Sequence, residues 1–181
     1  MRALVTAASK HGSTADIAGA VAVGLRARGV DVDLRDPEAV DDLAPYEVVV
    51  VGSAVYAGRW MKEAKGFVAR HESALRWRDV WLFSSGPLGD PPQKVEEPAD
   101  VVALLGQSGA RGHAVFSGRL DPHELGLGER LVARAVHAPL GDFRDWKDID
   151  DWAGRIADAV GGSGTKAGQD GPLVPVPGQD T

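Results

Sequence analysis

Between an apolar run at Arg2–Ala7 and the first helical pattern lies Ser9-Lys10-His11-Gly12-Ser13-Thr14. Three hydroxyls and a glycine at a helix start are what a phosphate monoester needs. Backbone N–H groups point outward there, the helix dipole favours an anion, and Gly12 lets the chain wrap closely. Lys10 and His11 can add positive charge. The plainer alternative is that Ser9 and Ser13 only turn the chain and cap the helix. No Gly-Lys-Ser/Thr follows at Walker spacing, and G-x-G-x-x-G is absent, so a dinucleotide is disfavoured.

The rest of the composition narrows the chemistry. With no cysteine there is no thiolate nucleophile, disulfide or Cys-ligated cluster, so redox chemistry must come from a borrowed cofactor. His123-Glu124 lacks a second histidine at helical spacing, so no metal site is expected. No acid–base side chain stands out, and no catalytic residue is assigned. A net charge of −6 argues against binding the phosphate backbone of nucleic acids. No apolar stretch is long enough to cross a membrane, and the first residues do not form a signal peptide. The expected compartment is the cytoplasm, with at most peripheral membrane contact.

The elements that would position the loop follow from periodicity. Arg2–Ala7 is a short strand. Ile17, Ala18, Val21 and Leu25 recur at helical spacing, with Ser13 and Asp16 reading as a capping box and Gly29 closing the helix. Val30–Leu34 alternates as an edge strand, and Val48–Val51 is an unbroken β-branched run expected at the sheet centre. Ala64, Val68, His71 and Leu75 mark a helix, Val80–Phe83 a fourth strand, Val101–Leu105 a helix, and His113–Ser117 a fifth strand. Leu131–Val136 reads as a helix. Ile149, Trp152, Ala153, Ile156 and Val160 stripe a last one, on which Trp146 and Trp152 are expected in the core. Residues 161–181, rich in Gly and Pro, have no periodic apolar face and read as a disordered tail.

Alternating strands and helices predict an α/β fold, a doubly wound five-stranded parallel sheet of order 2-1-3-4-5 over residues 1–160. Its ligand site lies at the switch between strands one and three. The acidic stretch from Asp31 to Asp42 is expected to be a solvated edge, or else a docking surface for a basic partner.

The loop Ala8–Thr14 followed by Asp16-Ile17-Ala18 resembles the phosphate loop of flavodoxins. It is closer still to that of the menaquinone-dependent protoporphyrinogen IX dehydrogenases, flavodoxin-like enzymes that also have a basic residue in this loop. The resemblance continues in Gly52–Trp60, Phe67-Val68 and Asp145-Trp146, covering roughly residues 1–160. It implies FMN as cofactor, with Ser9, Lys10, His11, Gly12, Ser13 and Thr14 at the phosphate and residues 53–60 and 84–89 around the isoalloxazine ring. In the first ring loop that is Ala54, Val55, Tyr56, Ala57, Gly58 and Trp60. In the second it is Ser84, Ser85, Gly86, Leu88 and Gly89. The ring's needs agree: Tyr56 and Trp60 offer stacking faces, Ser84-Ser85-Gly86 offers backbone partners without bulk, and Gly58 permits a peptide to approach. Ordinary packing is the competing role for Trp60, and a simple turn for Ser85 and Gly86.

Two functions follow from the resemblance. One is an FMN-dependent oxidoreductase passing electrons to a quinone, with NAD(P)H:quinone reduction as a variant. The other is a flavodoxin-type carrier serving a redox protein partner. A phospho-acceptor domain of the same fold would need carboxylates after strands one and three, where this chain has Ala7-Ala8 and Gly52-Ser53. The segment Gly118–Pro139 exceeds what a minimal carrier requires. The dehydrogenase family also has an extra helical segment there, carrying aromatic and basic residues that Asp121–Gly128 does not have.

Overall fold

Val48-Val49-Val50-Val51 opens β3 (Val48–Tyr56), and its unbroken β-branched run is buried on both faces. Successive residues on a strand point to opposite faces, so Val48 and Val50 enter one apolar cluster while Val49 and Val51 enter the other. The computed structural model describes residues 1–86, 98–121, 123, 126, 128 and 140–163. The expected helix at Leu131–Val136, the site candidates Leu88 and Gly89, and residues 164–181 lie outside them.

Around β3 the sheet is completed by β1 (Arg2–Ala8), β2 (Asp31–Arg35), β5 (Asp79–Ser85) and β6 (Gly112–Phe116), in the order β2-β1-β3-β5-β6 with every neighbour parallel. This is the expected five-strand order, with one addition. Residues expected to be loop after the central strand instead extend β3 and turn back as β4 (Arg59–Trp60), antiparallel to it. The turn residues Ala57 and Gly58 have φ of 49° and 72°, as a two-residue hairpin of the I′ kind requires.

Helices cover both faces. α1 (Ser13–Ala27) and α4 (Trp146–Ser163) pack on one, with Ile17, Val21, Leu25, Ile149 and Ile156 against Val5, Val50 and Phe83. α2 (Lys62–Leu75) and α3 (Val101–Ser108) pack on the other, with Phe67, Val68, Leu75 and Leu104 against Leu4, Val49 and Leu82. The Phe83 ring lies over Gly52 on the face covered by α1 and α4, where any Cβ on Gly52 would collide with it. The same ring packs against Phe116 and edge-on against Trp152, with centroids 5.9 Å apart in both cases.

Four sequence-based expectations change. The capping box does not form. Gly12 is the residue before α1, at φ 76° and with no side-chain cap, while the Ser13 hydroxyl and Asp16 carboxylate bond to distant chain. Trp146 is not core: it sits half exposed in the first turn of α4, ahead of the stretch facing the sheet, with Arg144 over its ring at 4.4 Å. α4 runs through Gly161 and Gly162 to Ser163, past the expected start of the tail. The acidic edge is more than a solvated one, because Asp33 accepts from Tyr46 Oη at 2.7 Å and Arg2 at 2.9 Å. Those two bonds, the tyrosine's first, hold its carboxyl below the ordinary range. Gly29, by contrast, closes α1 as expected, with Val30 N–H reaching Leu25 O and Gly29 N–H reaching Arg26 O.

Candidate functional site

Strand register gathers the candidate residues. Ala8 pairs with Ser53 across β1–β3, Ala54 with Ser85 across β3–β5, and Ser85 with Phe116 across β5–β6. These are the carboxyl ends of the strands, and β1 and β3 flank the point where the chain order reverses. That crevice is where open α/β sheets bind ligands.

At the β1 end, the loop delivers Gly12 in a left-handed conformation directly before α1. Asp16 N–H makes the first helical bond to Gly12 O at 2.9 Å. The N–H groups of Ser13, Thr14 and Ala15 therefore precede the helix ladder, as helix starts require. Ser9 Oγ is buried with no hydrogen-bond partner. A buried hydroxyl left unmatched costs roughly 1–3 kcal/mol, a cost that a ligand oxygen here would remove. Ser13 Oγ accepts the Arg119 backbone N–H at 2.9 Å, which leaves its own proton for an outside acceptor. Thr14 is buried beside it. These groups fit a phosphate monoester.

The β3 and β5 ends are built differently. Tyr56 is exposed at the end of β3, and Lys10 from the Ser9–Thr14 loop stands over its ring, 5.8 Å from the centroid. The two loops are thus brought together. Trp60 is not available as a stacking face: it is 2% exposed, and its Nε1–H donates to Ser84 Oγ at 2.7 Å. Ser84 Oγ also lies 2.8 Å from His113 Nε2. Ser53 Oγ accepts Met61 N–H at 2.9 Å and donates to Ala54 O at 2.8 Å. The hydroxyls of Ser53 and Ser84 are therefore occupied within the protein, and what these loops offer a ring is backbone and small side chains. Ala54 and Ser85 are buried, Val55 is half-buried, and Gly86 is exposed with its N–H bonded to Phe116 O. Ala57 and Gly58 form the exposed hairpin tip. That tip is moored from behind: Ala99 N–H donates to Gly58 O, and Asp100 accepts Trp60 N–H and Lys65 Nζ. The lysine bond leads in holding the Asp100 carboxyl below its usual range.

Sequence reasoning missed a group beside the Ser9–Thr14 loop. β7 (Arg119–Leu120) and β8 (Gly141–Asp142) pair antiparallel just past the end of β6. Arg144 is almost wholly buried and grips Asp142 with two bonds, Nε at 2.8 Å and Nη2 at 2.6 Å, while Nη1 reaches Asp16 at 2.8 Å. This grip, against the opposing effect of partial burial, holds the Asp142 carboxyl below the ordinary range. Arg119 Nη2 lies 4.0 Å from Asp16. Nothing local marks these residues, since Arg119 stands 106 positions from Ser13 and Arg144 128 from Asp16. Among the described residues no cluster of His, Asp and Glu could hold a metal, and no helix is long and apolar enough to cross a membrane.

Comparison with known proteins decides the family. The flavodoxin domain model matches residues 4–146. The chain belongs to the flavodoxin domain family. Solved flavodoxins superpose along nearly their whole length. An archaeal flavodoxin is 17% identical with TM-score 0.60, covering 89% of this chain and 99% of its own. Flavodoxin 2 of Bacillus cereus is 21% identical with TM-score 0.60, covering 88% and 99%. Rubredoxin oxygen:oxidoreductase of Desulfovibrio gigas is 16% identical with TM-score 0.61, covering 91% of this chain but 37% of its own. No curated protein sequence matches the chain. The flavodoxin family's cofactor is FMN, and the donors at Ser9 and at the start of α1 fit its phosphate.

Proposed function

We propose that this flavodoxin-domain protein is an FMN-dependent oxidoreductase that passes electrons to a quinone, as its resemblance to the menaquinone-dependent protoporphyrinogen IX dehydrogenases implies. Bound FMN supplies one- and two-electron transfer. The protein's part is to hold it, the phosphate by Ser9, Ser13, Thr14 and the first N–H groups of α1, the ring by Tyr56 and the backbone of Ala54–Gly58 and Ser84–Gly86.

One observation carries the enzyme reading. The chain after β6 forms β7 and β8, with the Arg119 N–H bonded to Ser13 at the start of α1, and the sequence from Gly118 to Pro139 is longer than a minimal carrier requires. A carrier needs only a short link there, whereas a wall beside the crevice suits a protein that admits a small acceptor. Protoporphyrinogen enters through the resemblance alone, since no side chain identifies it. The carrier reading is supported by the superposition of whole flavodoxins on this chain.

Stopped-flow mixing of the photoreduced holoprotein with menadione separates the two. Rapid reoxidation is the expected result. Anaerobic incubation of the oxidised protein with protoporphyrinogen, and separately with NADPH, then identifies the donor. A reduced protein indifferent to menadione but quickly oxidised by a redox protein would overturn the enzyme reading and leave the carrier.

A further inference from the structure

We infer that Asp100 is a positioning residue for the flavin ring, acting through the β3–β4 hairpin, which it holds in a conformation that Ala57 opposes. This rests on the proposed assignment of Ala54–Gly58 to the ring. Ala57, at φ 49°, is the only non-glycine residue with a positive φ among the described residues. The left-handed region crowds Cβ against the following carbonyl oxygen, a cost that glycine escapes. A non-glycine residue stays there only where its surroundings over-determine it. The tip of the hairpin is therefore strained, and a neighbouring segment must hold it.

The segment that does so is Ala99-Asp100, at the start of α3. Ala99 N–H donates to Gly58 O at 3.2 Å, fixing the carbonyl of the second turn residue. The Asp100 carboxylate accepts Trp60 N–H at 3.3 Å, on the strand that returns from the turn. It also accepts Lys65 Nζ from α2 at 3.1 Å and lies 3.6 Å from Arg59 Nη1. Arg59 is 68% exposed, so water screens its pull, and Lys65 is the cation that ties the carboxylate to the helix layer. One carboxylate thus joins α2, α3 and the hairpin. The Trp60 indole has its own anchor at Ser84. Removing the Asp100 side chain would keep that anchor but release the Trp60 backbone from α3, and the turn between Tyr56 and Arg59 would relax away from the left-handed state of Ala57.

The test titrates the full-length flavin-free chain with FMN and with riboflavin, and follows the visible circular dichroism of the bound flavin, which reports the surroundings of the ring. Asp100→Ala should weaken both flavins by the same factor, about 10-fold, as for one lost hydrogen bond to a charged group. The ratio of FMN to riboflavin affinity should stay as in the wild type, and the dichroism should change. Asp100→Asn keeps an oxygen for Trp60 N–H but loses the ion pair with Lys65, and should fall between the two. Ala57→Gly removes the strain, so adding it to Asp100→Ala should recover most of the affinity and the wild-type dichroism. An effect of the lost charge alone would survive in that double variant. Unchanged affinities in Asp100→Ala, or a loss that Ala57→Gly does not reduce, would overturn the inference. If Asp100→Ala does not fold, Asp100→Asn with and without Ala57→Gly decides by the same criterion. Riboflavin binding unmoved by Tyr56→Ala would instead place the ring elsewhere, and the assignment of the ring loop would fall together with the role of Asp100.

Discussion

The two ends of the cofactor crevice use the same residue type in opposite ways. At the proposed phosphate end Ser9 keeps a buried hydroxyl without a partner, and Ser13 Oγ accepts the Arg119 N–H, which leaves its own proton for another acceptor. At the ring end Ser53 and Ser84 spend their hydroxyls on Met61, Ala54, Trp60 and the neighbourhood of His113. On the proposed assignment, the difference follows from what each end would hold. A phosphate needs donors aimed at it, and a donor already bonded within the protein is lost to the ligand. A flat ring needs a rigid slot, and internal bonds supply rigidity. One end therefore stores unmet hydrogen-bonding capacity, and the other converts it into stiffness.

The comparison makes opposite predictions for mutation at the two ends. Replacing Ser9 and Thr14 together by alanine should weaken FMN by several kcal/mol, since each hydrogen bond to a charged acceptor is worth about 1.5–3 kcal/mol. Riboflavin affinity and the stability of the flavin-free protein should hardly move. Titration of both flavins, with urea unfolding of the flavin-free chain, checks this. An unchanged FMN dissociation constant would place the phosphate elsewhere.

Ser84→Ala should show the converse. It strands the buried Trp60 N–H, costing about 1–3 kcal/mol of stability in urea unfolding, while the ratio of FMN to riboflavin affinity stays as in the wild type. A changed ratio would show that the ring end also senses the phosphate, and the division between the ends would collapse.

The smallest effect is a pH dependence at the hairpin beside the phosphate end. The Asp142 carboxyl is depressed by Arg144, so its contribution to stability is complete above the ordinary aspartate value of about 4 and is lost as pH falls through the lower folded value. Because Asp142 is partly exposed, screening keeps this to less than about 1 kcal/mol. Melting curves from pH 7 to pH 3 should show the wild type losing more stability than Asp142→Asn below pH 4. Parallel losses would mean that the grip contributes nothing.

What could be read from the sequence depended on how far each signal had to travel. Val48–Val51 identifies the central strand because burial on both faces leaves a continuous local trace. Ile17, Val21 and Leu25 mark α1 for the same reason. The Ser13–Asp16 spacing suggested a cap, but a hydroxyl and a carboxylate bond to whatever the fold brings near, here Arg119 and Arg144 from the far end of the chain. Tyr56 and Trp60 looked alike as aromatic residues on one loop. The two-residue turn at Ala57-Gly58 sent one outward and folded the other back under the sheet end, a separation that no count of spacings reveals. The Ser9–Thr14 loop was legible because its residues are contiguous, and its bond to the Arg119 backbone was not, because that joins positions 106 apart.

The ring of Phe83 over Gly52 has a consequence for how such chains diverge. The centre of the sheet holds a fixed volume at that spot, occupied here by one large side chain and one missing one. A residue larger than glycine at position 52 can be accommodated only if position 83 shrinks, so neither change is viable first without a penalty from overpacking or from an empty cavity. Among relatives the two positions should therefore vary as a pair, and drift at either one alone should be slow.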